Sequence, residues 1–193
     1  MPRGRKVIVP HRRRRTMKTD YQNRLRLLKS GKARLVIRKS ARNVVCQLVE
    51  YQPAGDKTVC TVDSKELAKF GWKAGTGNIP AAYLTGLLCG IRAKGKVKEA
   101  ILDAGLYRST KGSRIYAALR GAADAGLRVP FSEEIAPDDD RLRGQHISAY
   151  AEHLKKESAA GYKKTFSGYA KAKAAPEALP KHFGEVKAKI LKA

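Results

Sequence analysis

Acidic residues are scarce in this chain. Only 17 Asp and Glu stand against 41 Lys and Arg, a formal charge of +24 over 193 residues. Self-repulsion of that size destabilises a compact state unless a polyanion neutralises it, and nucleic acid is the default partner. Long apolar runs are also missing. None approaches the roughly 20 residues of a spanning helix, which argues against a membrane role. The opening MPRGRKVIVPHRRRR has no long apolar stretch and no small-residue cleavage site, so a secretory signal is not expected. It is Arg-rich and acid-poor like a mitochondrial presequence, but Pro2 and Pro10 interrupt any amphipathic helix there.

Cysteine is rare as well. Cys46, Cys60 and Cys89 are isolated in apolar surroundings, with no CxxC and no Cys/His spacing. Neither a disulfide framework nor a zinc site is expected, and buried free thiols suit a reducing cytoplasm. His11, His146, His153 and His182 do not pair with Cys or one another at i, i+3 or i+4, and no Ser or Cys lies in a nucleophile elbow. With one Trp and four Phe, the core has to be aliphatic and alanine-rich.

The charge that is present forms a gradient. Residues 1–39 carry 15 Lys/Arg against one acid, 40–130 carry 14 against 7, and 131–193 carry 12 against 9. This divides the chain into a basic arm with a short helix (1–32), a core (33–130), and an acidic linker with a helical extension (131–193). Residues 1 to about 19 read as unstructured, because Arg12–Arg15 repel one another and have no apolar partner. Tyr21, Leu25 and Leu28 then mark an amphipathic helix, with Asp20 as a first-turn acid and Ser30-Gly31 as its end.

The core reads as α/β. Apolar runs predict strands at 34–39, 43–51 and 57–63 in an antiparallel meander, with Pro53 to Asp56 as a turn. Asp63-Ser64-Lys65-Glu66 looks like a capped helix start that Gly71 soon stops. Asn78 is a good cap and Pro80 fits the first turn of a helix burying Ile79, Tyr83, Leu87, Leu88 and Ile91, which Gly95 ends. EAILD at 99–103 is a short strand, and a helical crossover would make it parallel to a meander strand. A basic loop, Tyr107–Arg114, leads into a second long helix with Ile115, Ala118, Leu119, Ala122 and Ala123 inward, stopped by Gly126. The fold class is therefore a mixed sheet with packed helices. In the tail, Ile147, Tyr150, Ala151 and Leu154 mark one helix and Leu179, Phe183, Val186 and Ile190 another, while 158–175 offers little core.

Several features invite chemistry. The Gly-rich stretch GWKAGTGN could hold a phosphate at the following helix, but it is neither GxGxxG nor a Walker motif. An ordinary turn and cap, or contact with an RNA phosphate, fits it better. Asp63, Asp103 and Asp124 could serve a metal-dependent nuclease. Asp63 is explained by capping, Asp124 by an exposed helix face, and Asp103 alone is no two-metal site. Asp138–Asp140 lack calcium-loop spacing. The loops RKSARN (38–43) and YRSTKGSR (107–114) combine Lys/Arg with small hydroxyl and amide side chains, the groups that bind phosphate and sugar oxygens. Either alone would pass for a solvated turn. Beside the basic arm they point to RNA, whose unpaired bases Arg and Tyr can stack on. No RNP aromatic motif, GXXG loop or zinc finger is present.

The order RLVIRKSARNVVCQLVEY, GWKAGTGNIPAAYLTGLLCG, EAILDAGLYRSTKGSRIYAALRGAADAGL and RLRGQHI closely resembles the universal large-subunit ribosomal protein family that binds 5S rRNA. This is protein eighteen in the bacterial and archaeal naming and protein five in the eukaryotic one. The resemblance extends to about residue 155, and the length and tail look archaeal. It implies a mixed sheet with packed helices and a structural, non-catalytic protein of the cytoplasmic ribosome. Such a protein needs no cofactor, metal, membrane or small-molecule substrate. The implied partners are 5S rRNA, the large-subunit (23S-type) rRNA and neighbouring proteins of the central protuberance, among them ribosomal protein L5 of the bacterial naming.

The residues expected to face RNA fall in four groups. The arm supplies Arg3, Arg5, Lys6, Arg12, Arg13, Arg14, Arg15 and Lys18, continued by Tyr21 and Arg24. The first loop supplies Arg38, Lys39, Ser40, Arg42 and Asn43. The glycine loop supplies Trp72, Lys73, Thr76 and Asn78. The last loop supplies Arg108, Ser109, Thr110, Lys111, Ser113 and Arg114. Two rival functions are a magnesium-dependent nuclease centred on Asp103 and a general nucleic-acid packaging protein.

Overall fold

The computed structural model describes residues 9–192. The chain forms a four-stranded mixed sheet with the longest helices on one face and the N-terminal segment against the other. Strands β1 (Ala33–Lys39), β2 (Val44–Glu50) and β3 (Lys57–Asp63) run antiparallel, and β4 (Ala100–Asp103) lies parallel to β1. The spatial order is β3-β2-β1-β4. Both the meander and the parallel crossover expected from the apolar runs are present.

Strand alternation decides which face is covered. Leu35, Ile37, Cys46, Leu48 and Val62 are fully buried beneath α3 (Ile79–Ala93) and α4 (Arg114–Asp124). Asn78 Oδ1 accepts from the Ala81 amide and caps α3, with Pro80 in its first turn. The two helices pack with almost no gap. A Cβ on Gly86 would stand 1.9 Å from the Ala118 carbonyl oxygen, and one on Gly121 would stand 2.1 Å from that of Tyr83. Tyr83 also donates through its hydroxyl to Asp124 Oδ2 at 2.7 Å. Asp124 is exposed, as expected, and this contact anchors its carboxylate.

The terminal helix α9 (Leu179–Leu191) completes this core. Leu179, Phe183, Val186 and Ile190 are buried in it, and Phe183 meets the Tyr83 ring at a centroid distance of 5.6 Å. Between α4 and α9 run α5 (Asp139–Arg143), α6 (Gln145–Glu157), α7 (Ala159–Thr165) and α8 (Ser167–Lys171). The acidic stretch is thus partly helical, and Asp139 accepts from Arg120 Nη2 at 2.6 Å. Phe166 is buried within a ring cluster of Tyr150, Tyr162 and Tyr169, so 158–175 contributes a small apolar centre of its own.

Other local expectations change. Arg12–Arg15, read as unstructured, form one helical turn, α1. Side chains spaced about 100° apart around a turn diverge into solvent, which relieves their repulsion. The turn is held by Thr16 Oγ1 donating to the Arg12 carbonyl and Arg13 Nε donating to Thr19 Oγ1. Asp20 is the N-cap of α2 (Tyr21–Leu28), accepting from the Gln22 and Asn23 amides, and Leu25 is exposed rather than inward. The segment Ser64–Phe70 has the expected Asp63/Glu66 capping box and the left-handed Gly71 stop, but it winds as a 3-10 helix. Cys60 and Cys89, read as isolated, have sulfurs 3.7 Å apart.

Candidate nucleic-acid interface

The sheet face opposite α3 and α4 is covered in part by the N-terminal segment, and Arg34, Val36 and Val49 are buried there. Arg34, Val36 and Arg38 of β1, with Gln47, Val49 and Thr58, floor a cleft of about 620 Å³ whose other wall is the N-terminal segment around Arg13, Lys18, Tyr21 and Arg24. A chain of ion pairs crosses this floor. Arg24 grips Asp56 through two bonds of 2.9 Å. Arg34 bridges Asp56 at 2.6 Å and Asp103 at 2.9 Å. Arg38 reaches Asp103 Oδ1 at 2.8 Å and donates to the Asp103 and Ile37 carbonyls. Three guanidinium groups against two carboxylates leave one positive charge in excess.

The electrostatics follow from this geometry. Burial pushes the Asp103 carboxyl upward, but Arg38, the Gly105 amide and Arg34 outweigh it and hold it below the usual carboxylate range. Asp56 is held low chiefly by the Arg24 hydrogen bond, against partial burial and with help from Arg34. Asp103 is therefore committed to two guanidinium groups, and the carboxylate proposed for a nuclease is engaged. No cluster of three metal-ligating side chains occurs among the described residues.

Three of the four groups expected to face RNA, the two basic loops and the glycine loop, meet at one end of the sheet. The β1–β2 link turns tightly, with the Ser40 amide donating to the Asn43 carbonyl and the Asn43 amide to Ser40 Oγ. The glycine loop lies directly on it. Thr76 Oγ1 is 2.7 Å from the Arg42 carbonyl and 2.8 Å from Asn43 Oδ1. A Cβ on Gly77 would come within 2.9 Å of the Arg42 backbone, so glycine is what permits the approach. Arg114 then ties both loops to α4 by donating to the Gly77 and Ser40 carbonyls at 2.7 and 3.1 Å. Tyr107 donates its hydroxyl to the Lys39 carbonyl, and Lys39 Nζ sits 5.2 Å from the Tyr107 ring.

The side chains divide into presented and engaged groups. Arg42, Lys73, Arg108, Ser109, Thr110 and Lys111 are exposed, as are Arg12–Arg15 and Lys18. Ser40 is exposed through a side chain already used in the turn, and Ser109 Oγ also bonds Tyr116. Trp72 is 4% exposed; its indole donates to the Gly75 carbonyl and stacks on His182 at 5.2 Å, so the ring belongs to the core. Asn43, Thr76, Asn78 and Arg114 hold the loops together. Ser113 begins α4 with its hydroxyl buried and unpartnered. Arg3, Arg5 and Lys6 lie outside the described residues.

Arg34, the centre of this ion-pair chain, is a residue that sequence reading missed. It stands in an apolar run, yet strand period places 34, 36 and 38 on the face opposite Leu35 and Ile37. RLVIR thus encoded two arginines on the sheet face away from α3 and α4.

No helix among the described residues is long and apolar enough to cross a membrane. A family model described as ribosomal large subunit proteins 60S L5 and 50S L18 matches residues 5–100 and 94–132, more than half of the chain and every loop assembled above. The chain belongs to this family of large-subunit ribosomal proteins.

Proposed function

We propose that this protein binds 5S rRNA and fastens it to the 23S-type rRNA in the central protuberance of the large subunit, as a structural and non-catalytic component. Its family is one of ribosomal large-subunit proteins, which work in the cytoplasmic ribosome. The observation that carries the reading is the convergence of two basic loops and the glycine loop at one end of the sheet, bolted together by Thr76, Gly77 and Arg114. Phosphate contacts position an RNA, and rigid loops preorganise them.

In this reading Arg42, Lys73, Arg108, Thr110 and Lys111 meet the RNA backbone at the sheet end. Arg12–Arg15 and Lys18 extend the contact along the cleft, joined to the loops through Arg38. Arg3, Arg5 and Lys6 continue the arm. Neighbouring proteins of the central protuberance, including ribosomal protein L5 of the bacterial naming, would pack beside it, and the extension after 130 is of the archaeal type.

The test is binding of the purified protein to 5S rRNA against unrelated RNA of equal length across a salt series. Preference for 5S rRNA that survives moderate salt supports recognition by the folded surface. Equal affinities that collapse together with salt would reduce the interaction to charge alone and overturn the reading.

A further inference from the structure

One contact lies outside the RNA surface and is not explained by it. Cys60, on the edge strand β3, and Cys89, on α3, bring their sulfurs to 3.7 Å. Cys60 Sγ also lies 3.8 Å from the Cys89 carbonyl oxygen. The two sites differ in access. Cys60 is half-buried, whereas Cys89 is fully buried behind it, as is Cys46. All three thiols are unbridged.

We propose that Cys60 and Cys89 form a redox-active dithiol, a modification site that a hydroperoxide converts into a disulfide joining β3 to α3. A disulfide bond is about 2.05 Å long, so the sulfurs must close by less than about 2 Å. Because β3 is paired on one side only, it can accommodate the shift more easily than the central strands.

The chemistry assigns each sulfur a part. Cys60 is the accessible nucleophile. Its pKa is lowered to about 7, first by the hydrogen bond from the Cys89 thiol, against burial, and further by the Leu48 backbone and the charges of Lys96 and Arg92. Its thiolate attacks one peroxide oxygen. The S–O bond forms, the O–O bond breaks, the sulfur loses two electrons, and the departing oxygen takes up a proton to leave as alcohol or water. The Cys89 thiol, held above its ordinary pKa as donor to Cys60 and by burial, is the resolving group. Its sulfur attacks the sulfenic sulfur, the S–S bond replaces the S–O bond, and the Cys89 proton leaves with the hydroxide as water.

The experiment treats the reduced full-length chain with hydrogen peroxide, then denatures it, alkylates the remaining thiols and weighs it. Alkylatable thiols should fall from three to one, return to three after dithiothreitol, and map to a Cys60–Cys89 linked peptide pair. In Cys60→Ser the two remaining thiols should both stay alkylatable. Cys46→Ala, which puts no hydroxyl in the core, should still form the bridge. Three alkylatable thiols after peroxide, a bridge through Cys46, or Cys60 oxidised to sulfinate beside a free Cys89 would each overturn the proposal.

Discussion

Arg34 and Asp103, 69 residues apart in sequence, pair at 2.9 Å with both side chains more than 90% buried, on adjacent parallel strands. The pair pins β4 to β1, and Arg34 passes the contact on to Asp56 and hence to Arg24 on α2. Removing one partner of a buried pair leaves the other charge uncompensated, at about 3–5 kcal/mol. Asp103→Ala should fall near about 3 kcal/mol, because Arg34 keeps Asp56, and urea unfolding reads this directly. A loss under about 1 kcal/mol would mean the pair adds little to holding the strands.

Acid should act through the same carboxylates. Asp56 and Asp103 are both held below their ordinary pKa in the folded protein. Their contribution is therefore fully present above the unfolded value, about 3.9, and is lost as pH falls through the lower folded values. The denaturation midpoint should drop steeply below about pH 4, and Asp103→Asn should flatten that limb. An acid limb of equal steepness in the variant would assign the effect to other carboxylates.

The helix pair offers a sharper steric test. Gly86 and Gly121 interlock across α3 and α4, each with a Cβ position about 2 Å from a backbone carbonyl oxygen of the other helix. Backbone cannot rotate away as a side chain can. Gly86→Ala or Gly121→Ala should destabilise by about 3 kcal/mol or more, although alanine is the better helix former. Gly184→Ala, where an added Cβ meets nothing within 4 Å, is the control and should be neutral or slightly stabilising. Thermal melts of the three proteins decide it.

Much of this architecture was legible because it is written locally. The apolar runs gave the strands, Asp63 with Glu66 gave a capping box, and Asn78-Ile79-Pro80 gave a helix start. What was illegible depends on distant neighbours. RLVIRK reads as a strand leading to a solvated basic turn, and nothing nearby reveals that Arg34 and Arg38 will meet Asp103. Trp72 in a glycine-rich loop looks like a platform for a base until His182, 110 residues on, stacks against it. The loops were legible as basic, but their convergence needed Gly77 and Thr76 to be seen lying on the Arg42 backbone.

That convergence separates residues whose loss should affect binding alone from those whose loss should also affect folding. Arg42 and Lys111 are exposed, and neither side chain bonds to another of the described residues. Arg42→Ala with Lys111→Ala should weaken 5S rRNA binding and leave the melting temperature nearly unchanged. If both meet phosphates, the slope of log affinity against log salt should shrink by about 1.5–2. Arg38 and Arg114 are different, because each guanidinium already bonds protein groups, Arg38 to Asp103 and Arg114 to Gly77 and Ser40. Arg114→Ala should lower the melting temperature, and it should weaken RNA binding by loosening the loops even if Arg114 never touches a phosphate. The two effects are separable in the salt series. A lost phosphate contact changes the slope, whereas a loosened scaffold lowers affinity at every salt concentration by a similar factor. An unchanged melting temperature in Arg114→Ala would show that the loops hold their arrangement without it.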